Sequence, residues 1–298
     1  MKIVEFNGIL KMYGKTIALH NLSFKLAENK ITGLIGRNGA GKTTLLKMMA
    51  GYVRETSGEI QVFSQRPFNN LQVSANTIFI DHEMSFSPVF TLEDLLHAAQ
   101  RFYANWDHEL AMRLFEYFSF HPKQNHSKLS KGMKSTFNMI IGLASRCPLT
   151  IFDEPTSGMD AAVRKDFYRA LLKDYLNHPR TIILSSHLVS EIEDLLEDIL
   201  LISEGKKCLH LPVEELREYA VGLTGKTEVM NQLIEDKDLI HKKSIGVDGT
   251  YAVMKKENSS PLLERAMGLG VEASPVAIDD LCMYLTSKSK GGIDSVFN

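Results

Sequence analysis

Cysteine is scarce in this chain: Cys147, Cys208 and Cys282 are the only three, far apart and without a C-x-x-C pair. That scarcity excludes a disulfide frame and a thiolate zinc site, and it suits a reducing compartment. Charge of one sign is missing as well, because 34 basic and 36 acidic residues leave a formal net charge of −2. The total carries no basic footprint of a nucleic-acid binder, so no nucleic-acid partner is expected. Long apolar runs are absent, none approaching the ~20 residues that span a bilayer. Met1-Lys2-Ile3-Val4-Glu5-Phe6 meets an acid before any signal-peptide core could begin. A role at a membrane therefore requires another chain to supply the span. Internal repeats and low-complexity tracts are lacking too.

What remains is an ordinary globular composition, 44% hydrophobic and 23% charged over 298 residues, enough for one large domain and a small one. Leu22, Phe24 and Leu26 alternate with polar or small neighbours, as in a half-buried strand. Ile31 to Ile35 is a short apolar run ending in glycines, followed by helical spacing through Leu45, Leu46, Met48 and Met49. Further strands are expected at Glu59 to Phe63 and Ile78 to Ile80. At Thr91-Leu92-Glu93-Asp94 the period changes with a capping-box pattern, and Leu92, Leu95, Leu96, Ala99, Phe102, Tyr103 and Trp106 follow helical spacing. A second helix carries Leu110, Leu114, Phe115 and Phe118, and a third starts at Ser130 and ends before Pro148. Alternation then resumes: strand Leu149–Phe152, helix Ala161 to Asn177, strand Thr181–Leu184, helix Leu188–Leu196 and strand Ile199–Ile202. This order predicts an α/β fold with a mostly parallel sheet and a helical insert over about 91–146. Beyond residue 220 the pattern shortens. Helices at Lys226–Glu235, Leu262–Met267 and Ile278–Thr286, with strands at Leu239–Ile245 and Tyr251–Lys255, predict a small α+β appendix over 221–298.

Two motifs carry chemistry. Gly36-Arg37-Asn38-Gly39-Ala40-Gly41-Lys42-Thr43 fits G-x-x-x-x-G-K-[ST], between an apolar strand and an amphipathic helix. Its glycines let backbone N–H groups turn toward phosphate oxygens, and the helix start adds its positive end. Lys42 then reaches the β- and γ-phosphates, Thr43 ligates Mg²⁺, and Thr44 continues the helix beside the phosphates. Leu149-Thr150-Ile151-Phe152-Asp153-Glu154 is an apolar strand ending in two carboxylates. Asp153 is expected to hold Mg²⁺ and Glu154 to polarise an attacking water.

Together with Leu129-Ser130-Lys131-Gly132-Met133, Ser157-Gly158-Met159-Asp160 and His187 after a strand, these motifs resemble, in order, those of the ATP-binding cassette (ABC) ATPases. The resemblance covers roughly residues 1–220. It implies a P-loop ABC-type ATPase domain, with an antiparallel β part and a helical subdomain, that works as the ATP-hydrolysing subunit of a transporter. It further implies ATP and Mg²⁺ as cofactors, and an ATP-sandwich dimer with a second protomer, identical or a sister subunit. The permease would be encoded separately, and the subunit would be cytoplasmic, peripheral on the cytoplasmic face of the membrane. Ser130 and Gly132 would face the partner's nucleotide, with Asp160 at the seam. His187 would bond the γ-phosphate, and Tyr13 would stack on adenine.

The chain departs from the pattern at two places. The position usually held by glutamine falls on His82, expected here as a metal contact, with Asp81 and Glu83 as rivals if the register slips. Lys131 and Met133 replace the usual Gly and Gln, which resembles bacterial subunits serving drug-export or antibiotic-response permeases. Phe102, Tyr103 and Trp106 serve either core packing or a permease helix beside the insert. Two alternatives stand against the transporter reading: a soluble ABC ATPase without a transport role, and a P-loop kinase or ATP-binding adaptor.

Overall fold

The computed structural model describes residues 2–81, 83–234, 238–256 and 265–287. Two compact units are present: Met1–His187 with Glu191–His210, and Leu188–Ser190 with Leu211–Asn298. The main segment of the second unit starts at Leu211, whereas the sequence suggests a boundary at 220/221.

The first unit contains two sheets. A three-stranded antiparallel sheet has order β2-β1-β4, with β1 Lys2–Tyr13, β2 Thr16–Ala27 and β4 Ser57–Val62. A six-stranded sheet has order β5-β6-β7-β3-β8-β9. Its strands are β3 Ile31–Ile35, β5 Thr77–Asp81, β6 Leu149–Asp153, β7 Thr181–Ser186, β8 Asp198–Ser203 and β9 Lys206–Pro212. The pairs β5–β6, β6–β7, β7–β3 and β3–β8 are parallel. Every residue of β3, β6 and β7 is buried. That burial explains continuous apolar runs in place of alternation, since a central parallel strand is covered on both faces. One core joins the sheets, with Phe6, Leu22, Leu45, Leu46 and Ile151 among its fully buried members.

Helix α1 spans Lys42–Met49, α2 Leu71–Asn76, α3 Leu92–Phe102, α4 His108–Tyr117, α5 Lys131–Ala144 and α6 Ala161–Asn177. Thr91 and Asp94 form the capping box on α3, each side chain bonding the other's backbone N–H. The helix stops at Phe102, four residues short of Trp106. In α5 every residue from Ser135 to Ala144 is buried, including Asn138. Asn138 Oδ1 accepts from Nε2 of the buried His126 ring at 2.8 Å, and its amide nitrogen donates to the Met84 carbonyl at 3.3 Å.

The helix expected at Leu188–Leu196 is not there. Residues 190–192 form a turn, and Glu193–Leu195 is a single 3-10 turn. Its Leu195 and Leu196 N–H groups bond carbonyls three residues back.

Within the second unit, β10 Ala220–Lys226, β11 Leu239–Ile245, β12 Gly249–Lys255 and β13 Glu272–Pro275 form an antiparallel sheet of order β11-β12-β10-β13. Helices α7 Val213–Arg217, α8 Thr227–Leu233 and α9 Ile278–Thr286, and helical residues 265–268, accompany it. The β10-α8-β11-β12-helix-β13 sequence in that strand order is a split βαβ arrangement. One face packs Leu223, Ala252, Met254, Met230 and Leu233 into a small core of its own. Asp279, in the first turn of α9, accepts from the Val189 and Ser190 N–H groups at 2.5 and 3.2 Å, a bond spanning some 90 residues of sequence. The expected helix at Leu262–Met267 falls partly outside the described residues, with residues 265–268 helical.

Candidate nucleotide site

The phosphate loop joins β3 to α1 at the carboxyl edge of the six-stranded sheet, where open α/β sheets place ligands. Gly41 caps α1 at φ 102°, a left-handed conformation that suits glycine. A Cβ there would also lie 2.8 Å from the Ala18 carbonyl oxygen of β2. The turn after β8 braces the loop from the other side, its Gly205 N–H donating to Ala40 O at 3.0 Å. Arg37, Asn38 and Gly39 remain exposed on the crest, while Gly36 and Ala40 are buried beneath it. Lys42 is buried, and its ammonium is satisfied twice: it donates to the Gly36 carbonyl at 2.8 Å and pairs with Glu154 Oε1 at 3.2 Å.

Asp153 ends β6 in register with Asp81 of β5 on one side and Ser185 of β7 on the other. Both its carboxylate oxygens are engaged. Thr43 Oγ1 donates to Oδ2 at 2.6 Å, and Ser185 Oγ donates to Oδ1 at 2.5 Å. The same Ser185 oxygen accepts the Glu154 N–H at 2.8 Å. Glu154 sits at φ 46°, in the left-handed region that a glutamate seldom adopts. His187 follows β7, half exposed, with Nδ1 3.7 Å from Glu154 Oε2, an ion-pair approach too long for a hydrogen bond. The structure thus gathers Lys42, Thr43, Asp153, Glu154 and His187, and adds Ser185, which sequence reasoning missed. A polar residue ending the apolar run Thr181-Ile182-Ile183-Leu184 was the available signal.

A hydroxyl and a carboxylate held 2.6 Å apart suit Mg²⁺, which takes oxygen ligands and is usually bound by one or two protein groups with phosphates and water. Among the described residues no cluster of three or more His, Cys, Asp or Glu forms a dedicated metal cage. His82 lies outside the described residues. Its rivals are placed: Asp81 accepts the Glu83 N–H at 3.1 Å. Tyr13, at the end of β1, is half exposed with Lys11 Nζ 4.7 Å from its ring centre.

Ser130 and Asp160 stand apart from this group as helix N-caps. Ser130 Oγ accepts the Met133 N–H of α5 at 3.3 Å, and Asp160 accepts the Ala162 and Val163 N–H groups of α6 at 3.0 and 2.9 Å. Gly132 packs against the Ser157-Gly158-Met159-Asp160 turn so closely that a Cβ would meet the Gly158 oxygen at 2.4 Å. Ser130, Gly132 and Asp160 share the lining of a cavity of about 240 Å³ with Phe120, Met133 and Met159.

Residues 19–157 match the family model described as ABC transporter. The chain is 30% identical over 210 residues to the Nod factor export ATP-binding protein I of Paraburkholderia xenovorans, covering 68% of this chain and 69% of that protein. It is 27% identical over 303 aligned residues to the bacitracin transport ATP-binding protein BcrA of Bacillus licheniformis, covering 97% and 98% of the two chains. A solved dimeric ATP-binding cassette, in a post-hydrolysis state bound to ADP and Pi, has the same fold. It superposes with a TM-score of 0.60 at 17% identity over 71% of this chain and 99% of that one.

Proposed function

The chain belongs to the ABC transporter family as an ATP-binding, ATP-hydrolysing subunit, and on that footing we propose that it closes head to tail with a second cassette around two ATP molecules. The stroke drives a separately encoded permease. The observation that carries the reading is the hydrogen-bonded run Thr43–Asp153–Ser185–Glu154 beside Lys42, which sets a phosphate cradle against a water-activating carboxylate.

In this reading the adenine stacks on Tyr13, and the loop N–H groups from Gly36 to Thr44 receive the phosphates. Lys42 exchanges the Gly36 carbonyl and the Glu154 carboxylate for β- and γ-phosphate oxygens, which releases Glu154 to polarise the attacking water. Thr43 and Asp153 would hold Mg²⁺, which would supply positive charge to offset the negative charge of the phosphates. His187 bonds the γ-phosphate and keeps the water facing Glu154.

The partner's Ser130, Gly132 and α5 N-terminus complete each site, since a helix start binds anions with its unbonded N–H groups. Asp160 lies at the seam and relays the state of one site to the other. The partner cassette is a second copy or a sister subunit.

No helix among the described residues is long and apolar enough to cross a membrane, which supports a permease on another chain and a place on the cytoplasmic membrane face. The transport and export named for BcrA and the Nod factor protein favour a transporter over a soluble ABC ATPase, a kinase or an adaptor. Of the three aromatics near the insert, Phe102 is 67% exposed and suits permease contact. Tyr103 and Trp106 are half-buried and pack inward, and burial raises the Tyr103 phenol pKa.

Glu154→Gln tests the reading. Steady-state hydrolysis is expected to disappear, with an ATP-bound dimer trapped on a sizing column in ATP and Mg²⁺. A variant that stays monomeric there, or that keeps hydrolysing, would overturn the sandwich or the assignment of Glu154 respectively.

A further inference from the structure

Ser185 is 2% exposed, in the middle of the hydrolytic apparatus, and none of the motifs includes it. Its hydrogen bonds have only one possible direction. An ionised Asp153 carboxylate accepts only, and the Glu154 N–H donates only, so the single hydroxyl proton goes to Asp153 and an oxygen lone pair receives Glu154. Thr43 occupies the other Asp153 oxygen, so the carboxylate cannot rotate to replace the lost bond without giving up the first.

The bond to Glu154 falls on its backbone, where the chain leaves β6 and turns to φ 46°. A left-handed glutamate persists only where its surroundings over-determine it. Here the N–H is tied to the neighbouring strand in the register that sets Ser185 opposite Asp153. The side chain leaving that fixed backbone reaches Lys42 with one oxygen and approaches His187 with the other.

We infer that Ser185 is a positioning residue for hydrolysis: its hydroxyl fixes the Glu154 backbone against Asp153 and so aims the Glu154 carboxylate at the attacking water. The inference rests on Glu154 being the group that polarises that water. A misplacement on the order of 1 Å can cost ~100-fold in rate, so the loss belongs in kcat. Nucleotide affinity in the absence of Mg²⁺ belongs mainly to Tyr13 and the phosphate loop, which Ser185 does not touch; Ser185 meets the metal-holding pair only through Asp153.

The experiment compares Ser185→Ala, Ser185→Thr and Glu154→Gln in the full chain, with steady-state ATP hydrolysis, and equilibrium binding of a fluorescent ATP analogue without Mg²⁺, measured on the same preparations. Ser185→Ala is expected to lose between ~10-fold and ~100-fold in kcat with analogue affinity unchanged. Ser185→Thr, which restores the hydroxyl, is expected to recover most of that rate. Placed in the Glu154→Gln background, Ser185→Ala should leave the ATP-trapped dimer intact. Wild-type kcat in Ser185→Ala overturns the inference, as does a loss of kcat and analogue affinity in parallel. If Ser185→Ala does not fold, Ser185→Cys carries the test by the same criteria, its thiol being close in size but a weak donor and acceptor. Hydrolysis surviving in Glu154→Gln would defeat the reading of Glu154 itself. Loss there with wild-type Ser185→Ala would defeat only the role of Ser185.

Discussion

The phosphate-loop side and the signature side of this cassette are built by opposite rules. On the first, polar groups from four separate elements hold one another: Lys42 and Thr43 from α1, Asp153 and Glu154 from the end of β6, Ser185 from β7 and Gly36 after β3. On the second, Ser130 and Asp160 each satisfy the helix they begin, with exposed side chains. The first arrangement is built from elements distant in sequence, mostly buried or part-buried, and its hydrogen bonds form within one chain. The second is local, and its remaining helix-terminal N–H groups are free to meet an anion brought by another molecule.

The largest effect that would break this contrast comes from Gly132→Ala. The added methyl must push the Gly158 carbonyl away, because the space between them is already closed. Hydrolysis is expected to fall about 100-fold, the scale of losing a transition-state donor, while a single chain binds ATP as before. An equal loss of ATP binding by the single chain would show that the two sides are not separable.

A smaller effect lies at Tyr13. Replacing it with Ala should weaken ATP binding about tenfold, in keeping with ~1–3 kcal/mol for a base stacked on an aromatic ring. Tyr13→Phe should bind like the parent, because stacking needs only the ring face. Calorimetric titration with ATP checks both, and an unaffected Tyr13→Ala would remove Tyr13 from the site.

The smallest effect sharpens the signature side. His126 is buried just ahead of Ser130, and burial lowers its pKa below the ordinary 6.5, against an opposing pull from the Asn138 hydrogen bond. The folded state therefore keeps it neutral where the unfolded chain takes a proton. Its stabilising contribution is present above pH 6.5 and declines as the pH falls from there toward the lower folded value. His126→Gln, which retains a donor for Asn138, should lose less melting temperature than the parent on acidification through that window. Parallel losses would refute the assignment.

Local periodicity made most of the first unit legible. Thr91 and Asp94 announced α3, and the range of α6 follows directly from its spacing. Legibility failed where distant residues decide. Strand β1 went unread because register shifts interrupt its pairing with β2, so no clean alternation survives in Lys2–Tyr13. The helix expected at Leu188–Leu196 does not form, and the Val189 and Ser190 N–H groups instead find Asp279 some 90 positions away. In the site, the phosphate loop and the Asp153-Glu154 pair were readable because their chemistry needs a fixed spacing. Ser185 was not, since only the parallel pairing of β6 with β7 brings it to Asp153.

The left-handed backbone at Glu154 has an evolutionary consequence. A glutamate held at φ 46° costs on the order of 1–3 kcal/mol of folding free energy, and glycine adopts that conformation freely. Any lineage released from the need for turnover gains stability by drifting to glycine there, and it loses the carboxylate in the same codon change. Selection for durability and selection for activity thus compete at a single position. A relative with glycine directly after its strand-ending aspartate would mark where that contest has been decided against hydrolysis.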